Sequence, residues 1–152
     1  MKQPRLTDAV LILVADQRQA RLAACQRLRN GRVHVETRAR LAETWNESAH
    51  NNPPSRSDSA GHQFDNSGRI GEERLARFAR EILDWLAREP AAAGGERIEV
   101  FANPRLLGAL RRVVPAERGK AWAEHALDLA GLSEGELAAR AEIAALVPEL
   151  PV

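Results

Sequence analysis

The residues best suited to chemistry are concentrated in one polar stretch, residues 44–69. This stretch contains five serines, four asparagines, His50, His62, Asp58 and Asp65. Serine, histidine and aspartate can form a hydrolytic triad, but within residues 44–69 no G-x-S-x-G turn places a serine as the nucleophile. The two aspartates could bind a cation together with asparagine oxygens, yet their spacing matches no calcium loop, and a role as turn residues explains them better. Composition alone therefore assigns no reaction to the stretch.

The common cofactor and metal sites have no support in the rest of the chain. There is no G-x-x-x-x-G-K or G-x-G-x-x-G pattern for nucleotide phosphates. The one cysteine, Cys25, cannot form an internal disulfide and belongs to no zinc-binding cluster. Hydrolytic metal chemistry needs several converging carboxylates, and Asp16 is the only acid at the end of the first apolar run. We therefore predict no cofactor, no metal and a reducing, cytoplasmic setting.

The length of the polar stretch 44–69 is also informative. Loops longer than about 12–15 residues are usually functional or disordered. Trp45 and Phe64 are its only large apolar side chains, so we expect them to anchor its ends. Between them, residues 48–61 cannot bury enough apolar surface to offset their ordering entropy, and we expect Arg56 to be open to proteases. The sequence thus predicts that the protein works through this loop.

Length and composition predict one domain, residues 1–152, without a membrane span. The chain is 44% hydrophobic and 28% charged, with a net charge of +1, and a chain of this size can bury a core without disulfides. Residues 1–40 carry +6 and the remainder −5. This asymmetry could steer one face toward phosphate, or could be a solvated Arg-rich surface. The apolar run 9–15 is far shorter than the ~20 residues that cross a bilayer, and no signal-peptide pattern follows it.

Alternating apolar and polar residues predict a three-stranded meander in the first half. Residues 9–15 are apolar throughout, as in a central strand covered on both faces. Residues 20–25 alternate as in a half-buried strand, and Asn30-Gly31 predicts a type I′ hairpin turn. The third strand places five side chains on its apolar face, namely Val33, Val35, Thr37, Ala39 and Leu41.

Helical spacing predicts a long amphipathic helix over residues 70–88. Its apolar stripe comprises Leu75, Phe78, Ala79, Ile82, Trp85 and Leu86. We expect this stripe to cover Val33, Val35 and Leu41, because no other long helix precedes it.

The remaining segments predict alternating strands and helices. A strand at 97–102 leads into a helix with Asn103 as its N-cap. A last strand covers 120–129, and a capping box of Ser133 and Glu136 opens one final helix. The order βββ–loop–α–β–α–β–α predicts an α/β fold. In this fold a three-stranded meander and parallel crossovers form a mixed sheet flanked by helices.

Five segments carry a resemblance to a known family. They are VADQRQARL, GHQFDNSGRIG, FAREILDWL, FANPRLLGALRR and HALDLAGLSEGELAAR. Together they resemble the bacterial host attachment protein family, named as required for attachment to host cells, over about residues 9–146. The most specific piece is residues 103–112, where Asn103 replaces the first proline of the family's Pro-Pro pair. The resemblance implies a non-enzymatic interaction module of undetermined biochemical activity.

That family is similar in layout to the middle domain of archaeal and eukaryotic peptide-chain release factors. In that domain a loop carrying Gly-Gly-Gln leads from a meander into a long helix. Gly61-His62-Gln63 corresponds by position, with His62 in place of the second glycine. The alternative function is therefore a ribosome- or RNA-associated domain, with Gln63 as the candidate catalytic residue for peptidyl-tRNA hydrolysis. The candidate binding residues are Asp16, Trp45, Arg56, Gly61, His62, Gln63 and Arg69.

Overall fold

The computed structural model describes residues 9–43, 60–92, 97–115 and 122–147, with only the backbone for residues 60–70 and 91. The strands are β1 (Val10–Ala15), β2 (Gln19–Arg27), β3 (Val33–Ala42), β4 (Ile98–Phe101) and β5 (Trp122–His125). The helices are α1 (Ala60–Arg88), α2 (Pro104–Val113), α3 (Glu134–Ala138) and α4 (Ala141–Ala144), and a 3₁₀ turn (Pro90–Ala92) follows α1. Over these ranges, no helix is both long enough and apolar enough to cross a bilayer.

The five strands form one mixed sheet in the order β3-β2-β1-β4-β5. The pairs β1–β2 and β2–β3 are antiparallel, whereas β1–β4 and β4–β5 are parallel. This arrangement confirms the predicted α/β class, with a meander on one side and parallel crossovers on the other. The central position of β1 agrees with its uninterrupted apolar sequence, because side chains on both of its faces are buried.

A separate hydrophobic core lies on each face of the sheet. On one face α1 and α2 cover the sheet, and every residue of the predicted α1 stripe is buried there. On the opposite face α3 and α4 bury Leu137 and Ile143 with Ile12, Val14 and Phe101. The apolar spacing of α1 therefore predicted correctly which of its residues are buried.

The strand β2, predicted to be half-buried, is buried on both faces. Its polar-side residue Arg21 is only 7% exposed, and its Nη2 donates a hydrogen bond of 2.6 Å to the Leu132 carbonyl. Burial lowers the pKa of Arg21, and neighbouring Arg40 lowers it further. The second face is covered because the C-terminal segment packs on it, which local alternation in β2 could not reveal.

A β-bulge divides β3 between the two cores. Leu22 pairs with Ala39, but the next residue of β2, Ala23, pairs with Thr37. The strand β3 thus has one extra residue, Arg38, at this point. An extra residue reverses the side-chain alternation on the bulged strand.

The bulge corrects the predicted cover of β3. Leu41 packs in the core under α1, as predicted. Val33 and Val35 lie in the opposite core, with α3 and α4, so the prediction that α1 covers them was wrong. Apolar and polar residues alternate without interruption along the sequence of β3, but its pairing register with β2 shifts by one residue at the bulge.

The hairpin between β2 and β3 also differs from the prediction. Gly31 has a φ of 86°, and no described non-glycine residue has a positive φ. Asn30 therefore does not adopt the conformation that a type I′ turn requires. Instead the Gly31 N–H donates to the Leu28 carbonyl at 2.8 Å, and the Asn30 side chain accepts from the Arg32 N–H at 2.9 Å. A single left-handed glycine is sufficient for this longer turn.

Three predicted element boundaries were wrong. The helix α1 begins at Ala60 instead of residue 70, so the C-terminal part of the stretch 44–69 is helical. Glycine and asparagine disfavour helix in this segment, but extending an existing helix is easier than starting one. The strand β5 ends at His125, well before residue 129. The predicted final helix is split into α3 and α4, with Arg140 as the N-cap residue of α4.

Hydrogen bonds within the first turn of α3, and one to β3, fix the start of this helix. The predicted capping box is confirmed, because Ser133 Oγ accepts from the Glu136 N–H and Glu136 Oε1 accepts from the Ser133 N–H. Glu134 Oε2 accepts a 2.7 Å hydrogen bond from the Thr37 N–H at the bulge. These backbone N–H donors are the chief cause that lowers the pKa of Glu134 and of Glu136.

We expect Glu134→Gln to lower the free energy of unfolding more at neutral pH than at acid pH. A carboxylate whose folded-state pKa is lowered stabilises the fold above its ordinary pKa of 4.5 and loses that contribution as the pH falls through the folded value. Urea denaturation of wild type and variant between pH 7 and pH 3 measures the difference, which should shrink below about pH 4.5. The exposed Glu73→Gln on α1 is the control. A Glu134→Gln difference that stays constant with pH would contradict the contact to Thr37.

Candidate functional site

A cleft lies at the edge of the sheet where the carboxyl ends of β1, β3 and β4 meet. It has a volume of about 160 Å³ and lies between the β1–β2 turn, α1 and the first turn of α2. Its lining residues are Gln17, Arg18, Gly71, Arg74, Leu75 and Arg105. Ligands of open α/β sheets typically bind outside the carboxyl ends of the strands. We refer to these six residues as the carboxyl-edge cleft.

Asp16 shapes the turn that brings Arg18 to the carboxyl-edge cleft. Its Oδ1 accepts hydrogen bonds from the backbone N–H groups of Arg18 at 2.8 Å and Gln19 at 2.9 Å. The Asp16 N–H donates to the Gln19 carbonyl at 2.9 Å, which closes the turn. The contacts observed for this predicted binding residue are therefore structural, and a direct role in binding stays a prediction.

A buried ion pair joins α1 to the end of β3 beside the cleft. Arg74 Nε and Nη2 donate to the two carboxylate oxygens of Glu43 at 2.7 and 2.5 Å. The Glu43 side chain is 6% exposed, and its backbone N–H donates to the Arg18 carbonyl at 2.8 Å. Residues 44–59 connect Glu43 to Ala60, so this pair fixes the point from which the polar segment leaves the sheet.

The carboxyl-edge cleft has the chemistry of an anion-binding surface. Arg18 and Arg105 are exposed, and their guanidinium groups form no ion pair within the described ranges. Arg105 lies in the first turn of α2, where Asn103 Oδ1 accepts from the Leu106 N–H at 2.9 Å as the predicted cap. The described lining contains no carboxylate, imidazole, hydroxyl or thiol. These residues can therefore bind an anion, but they supply no general base or nucleophile.

The predicted site residues are only partly brought together. Four of them lie in α1 rather than in a loop, namely Gly61, His62, Gln63 and Arg69. Their backbone is helical, which differs from the glycine-rich loop that the release-factor resemblance implies. Trp45 and Arg56 lie outside the described residues, as do residues 48–59 of the predicted mobile segment. Of the predicted residues, Asp16 is the one whose described contacts place it beside the cleft.

A charged cluster on β4 and β5 was missed by the sequence analysis. Glu99 is buried, with its Oε1 2.7 Å from His125 Nε2 and its Oε2 accepting from Arg97 Nε at 2.7 Å. The His125 ring stacks on Phe101, with 4.5 Å between ring centroids and 12° between the planes. Strand alternation predicts that Glu99 and Phe101 share a face. No sequence signal reveals the pairing of Phe101 with His125, which follows from the β4–β5 register.

We interpret the Glu99–His125 pair as structural. A carboxylate that orients an imidazole is two-thirds of a catalytic triad, but no described hydroxyl or thiol hydrogen-bonds to His125.

Burial raises the pKa of the Cys25 thiol to about 12, so it is not a nucleophile near neutral pH. No three His, Cys, Asp or Glu side chains converge on a metal-sized site in the part of the chain that the structure describes.

Comparison with known proteins matches most of the chain to one family model. The family described as "Protein required for attachment to host cells" matches residues 11–140. The match includes nearly all of the sheet, α1, α2 and the whole carboxyl-edge cleft. A search of the curated proteins finds no match to the chain.

Proposed function

The chain belongs to the family of proteins required for attachment to host cells, and we propose that it is a non-enzymatic binding protein. Its recognition surface is the carboxyl edge of the sheet together with the segment 44–69. The observation that carries this proposal is the carboxyl-edge cleft, in which Arg18 and Arg105 are exposed next to the end of β3. The backbone that carries both arginines is fixed by side-chain hydrogen bonds. Asp16 accepts from the backbone in the β1–β2 turn, and Asn103 caps the N-terminus of α2.

The chemistry of the cleft favours a partner that presents carboxylates. Guanidinium groups bind carboxylates through paired, charge-assisted hydrogen bonds. In this proposal Arg56 and Arg69 add positive charge, and Trp45 adds an apolar contact. The proposal also includes Gly61, His62 and Gln63, whose backbone lies in α1.

Charge reversal at the cleft tests the proposal. We expect the double variant Arg18→Glu/Arg105→Glu to lose at least about tenfold in affinity for a partner of the wild-type protein, since reversing charged contacts typically costs more than 1.4 kcal/mol. The measurement is affinity capture with the full chain, identification of the partner by mass spectrometry, and titration of the purified partner. Arg29→Glu is the matched control, because Arg29 is an exposed arginine in the turn between β2 and β3, at the opposite edge. Equal affinity of the double variant and the control would refute the proposal.

The alternative function is association with the ribosome or another RNA. The cationic cleft supports it, because arginines that bind carboxylates also bind phosphates. Co-sedimentation with ribosomes that weakens steeply with salt would favour this alternative over a protein partner. We expect ribosomes bearing peptidyl-tRNA to release peptide no faster with the protein than with buffer. Release that Gln63→Ala abolishes would instead establish a hydrolytic function.

The proposed site of action is the cytoplasm. Fractionation of the cells that make the protein tests this part directly. Recovery with the cytoplasmic fraction supports it, whereas recovery with outer-membrane or culture fractions refutes it and favours direct action at the cell surface.

A further inference from the structure

The carboxyl-edge cleft continues into a groove between α1 and α2. This groove has a volume of about 560 Å³, and it shares Leu75 and Arg105 with the cleft. It follows the two helices away from the sheet edge as far as Arg80 on α1 and Arg112 on α2. We refer to this surface as the helix groove. From Arg105 to Arg112 it spans about two turns of α2.

The floor of the helix groove is apolar and includes small residues from both helices. Ala76 and Gly108 are partly exposed on its two sides, and Leu75 and Ala109 are buried beneath them. Val113 extends this surface to the end of α2. A floor of this kind is typical of grooves that accept the apolar face of an amphipathic helix.

Gly108 has no described structural reason to be glycine. Its φ is not in the left-handed region, and a Cβ built on it would meet no atom within 4 Å. Glycine in a helix interior is destabilising relative to alanine, so the fold alone would favour a larger residue here. Gly71 of α1, which lines the adjoining cleft, is in the same situation. Both glycines open onto one continuous surface, where they leave room for another backbone to approach.

The rim of the helix groove is predominantly cationic. Arg80, Arg105 and Arg112 are exposed and form no ion pair with described residues, whereas Glu72 is the only acid of the described lining. Arg105 and Arg112 are seven residues apart on α2, about 10.5 Å along the axis at 1.5 Å per residue. Carboxylates two helical turns apart on a partner helix would match this spacing.

From this combination, and resting on the proposed binding function, we propose that the helix groove binds an acidic amphipathic helix of a partner protein. The apolar face of that helix lies on Ala76, Gly108 and Val113, and its acidic residues pair with Arg105 and Arg112. Single-stranded RNA fits less well, because the described lining has no aromatic side chain on which a base could stack.

A designed peptide tests this inference on the full-length protein. The probe is a fluorescein-labelled helical peptide with leucine and alanine on one face and glutamate on the other, and the control peptide has lysine in place of glutamate. Fluorescence anisotropy should show saturable binding that is at least tenfold tighter for the acidic peptide. Gly108→Leu should weaken this binding at least tenfold with no loss of thermal stability, because the position is open. Arg112→Glu should weaken it at least fivefold, and Arg29→Glu should leave it unchanged.

The outcomes separate this inference from the proposed function. No preference for the acidic peptide, or unchanged binding by a folded Gly108→Leu protein, would overturn the inference. Tighter binding of a labelled oligouridine that Gly108→Leu abolishes would overturn it in favour of RNA. If Gly108→Leu abolishes binding of both the peptide and the captured partner while Arg18→Glu, which changes the cleft alone, leaves partner binding unchanged, the helix groove is supported and the proposed function of the cleft fails.

Discussion

Replacing Trp85 with alanine should lower the free energy of unfolding by about 3–5 kcal/mol. Trp85 is 7% exposed and lies in the core between α1 and the sheet, with Phe78 and Ile82 on the same stripe. The neighbouring side chains are held by both the helix and the strands, so they cannot collapse fully into the space that the indole leaves. Urea denaturation followed by circular dichroism measures the change.

Asp84→Ala is the matched control for Trp85→Ala. Asp84 is exposed and adjacent in α1, and surface substitutions of this kind usually change stability by no more than about 0.5 kcal/mol. A loss below about 1 kcal/mol for Trp85→Ala would show that α1 does not pack on the sheet in the way described. The contrast between the two variants therefore measures the packing of α1 and not its helical propensity.

Replacing Glu43 with alanine should lower the free energy of unfolding by about 2–3 kcal/mol, because it removes two charge-assisted hydrogen bonds from a mostly buried pair. Arg74 remains 26% exposed, so water offsets part of the cost and the effect stays below that of a fully buried ion pair. The same variant should weaken partner binding, since the Glu43–Arg74 pair fixes the end of β3 beside the cleft, where the segment 44–69 begins. Denaturation and partner titration on one preparation check both expectations.

Glu36→Ala is the control for Glu43→Ala. Glu36 pairs with Arg38 at 3.1 Å, but half of its side chain is exposed, and surface ion pairs contribute about 0–1 kcal/mol. The double variant Glu43→Ala/Arg74→Ala should lose less stability than the sum of the single variants, because the two residues act as one unit. Strictly additive losses would show that the pair does not form in solution.

Local patterns predicted the parts of the fold that local physics decides. The apolar stripe of α1, the Asn103 cap and the Ser133–Glu136 capping box each depend on residues only a few positions apart. The α/β class, with a meander on one side of the sheet and parallel crossovers on the other, followed from the alternation of strand and helix patterns. These features could be predicted because spacing along the chain determines them.

Features that depend on register were not predicted. The bulge opposite Leu22 and Ala23 exchanges the faces of β3 without any change in its sequence alternation. The Glu99–His125 pair requires a particular alignment of β4 with β5, and the cleft joins Arg18, Arg74 and Arg105 from three separate elements. The arginines of the cleft belong to the β1–β2 turn, α1 and α2 and lie outside the polar stretch 44–69, so composition did not reveal them.

The Glu134–Thr37 hydrogen bond limits how copies of this protein can aggregate. The strand β3 is an edge strand, and unpaired backbone groups at a sheet edge are a template for strand addition by another chain. Glu134 already occupies the Thr37 N–H, and the bulge at the same place bends the edge away from a flat ladder. His34, Glu36 and Arg40 add exposed polar or charged groups along β3. Intermolecular sheet extension is therefore disfavoured at β3 when α3 is in place, and acid or Glu134→Gln should make that edge more prone to amyloid-like pairing.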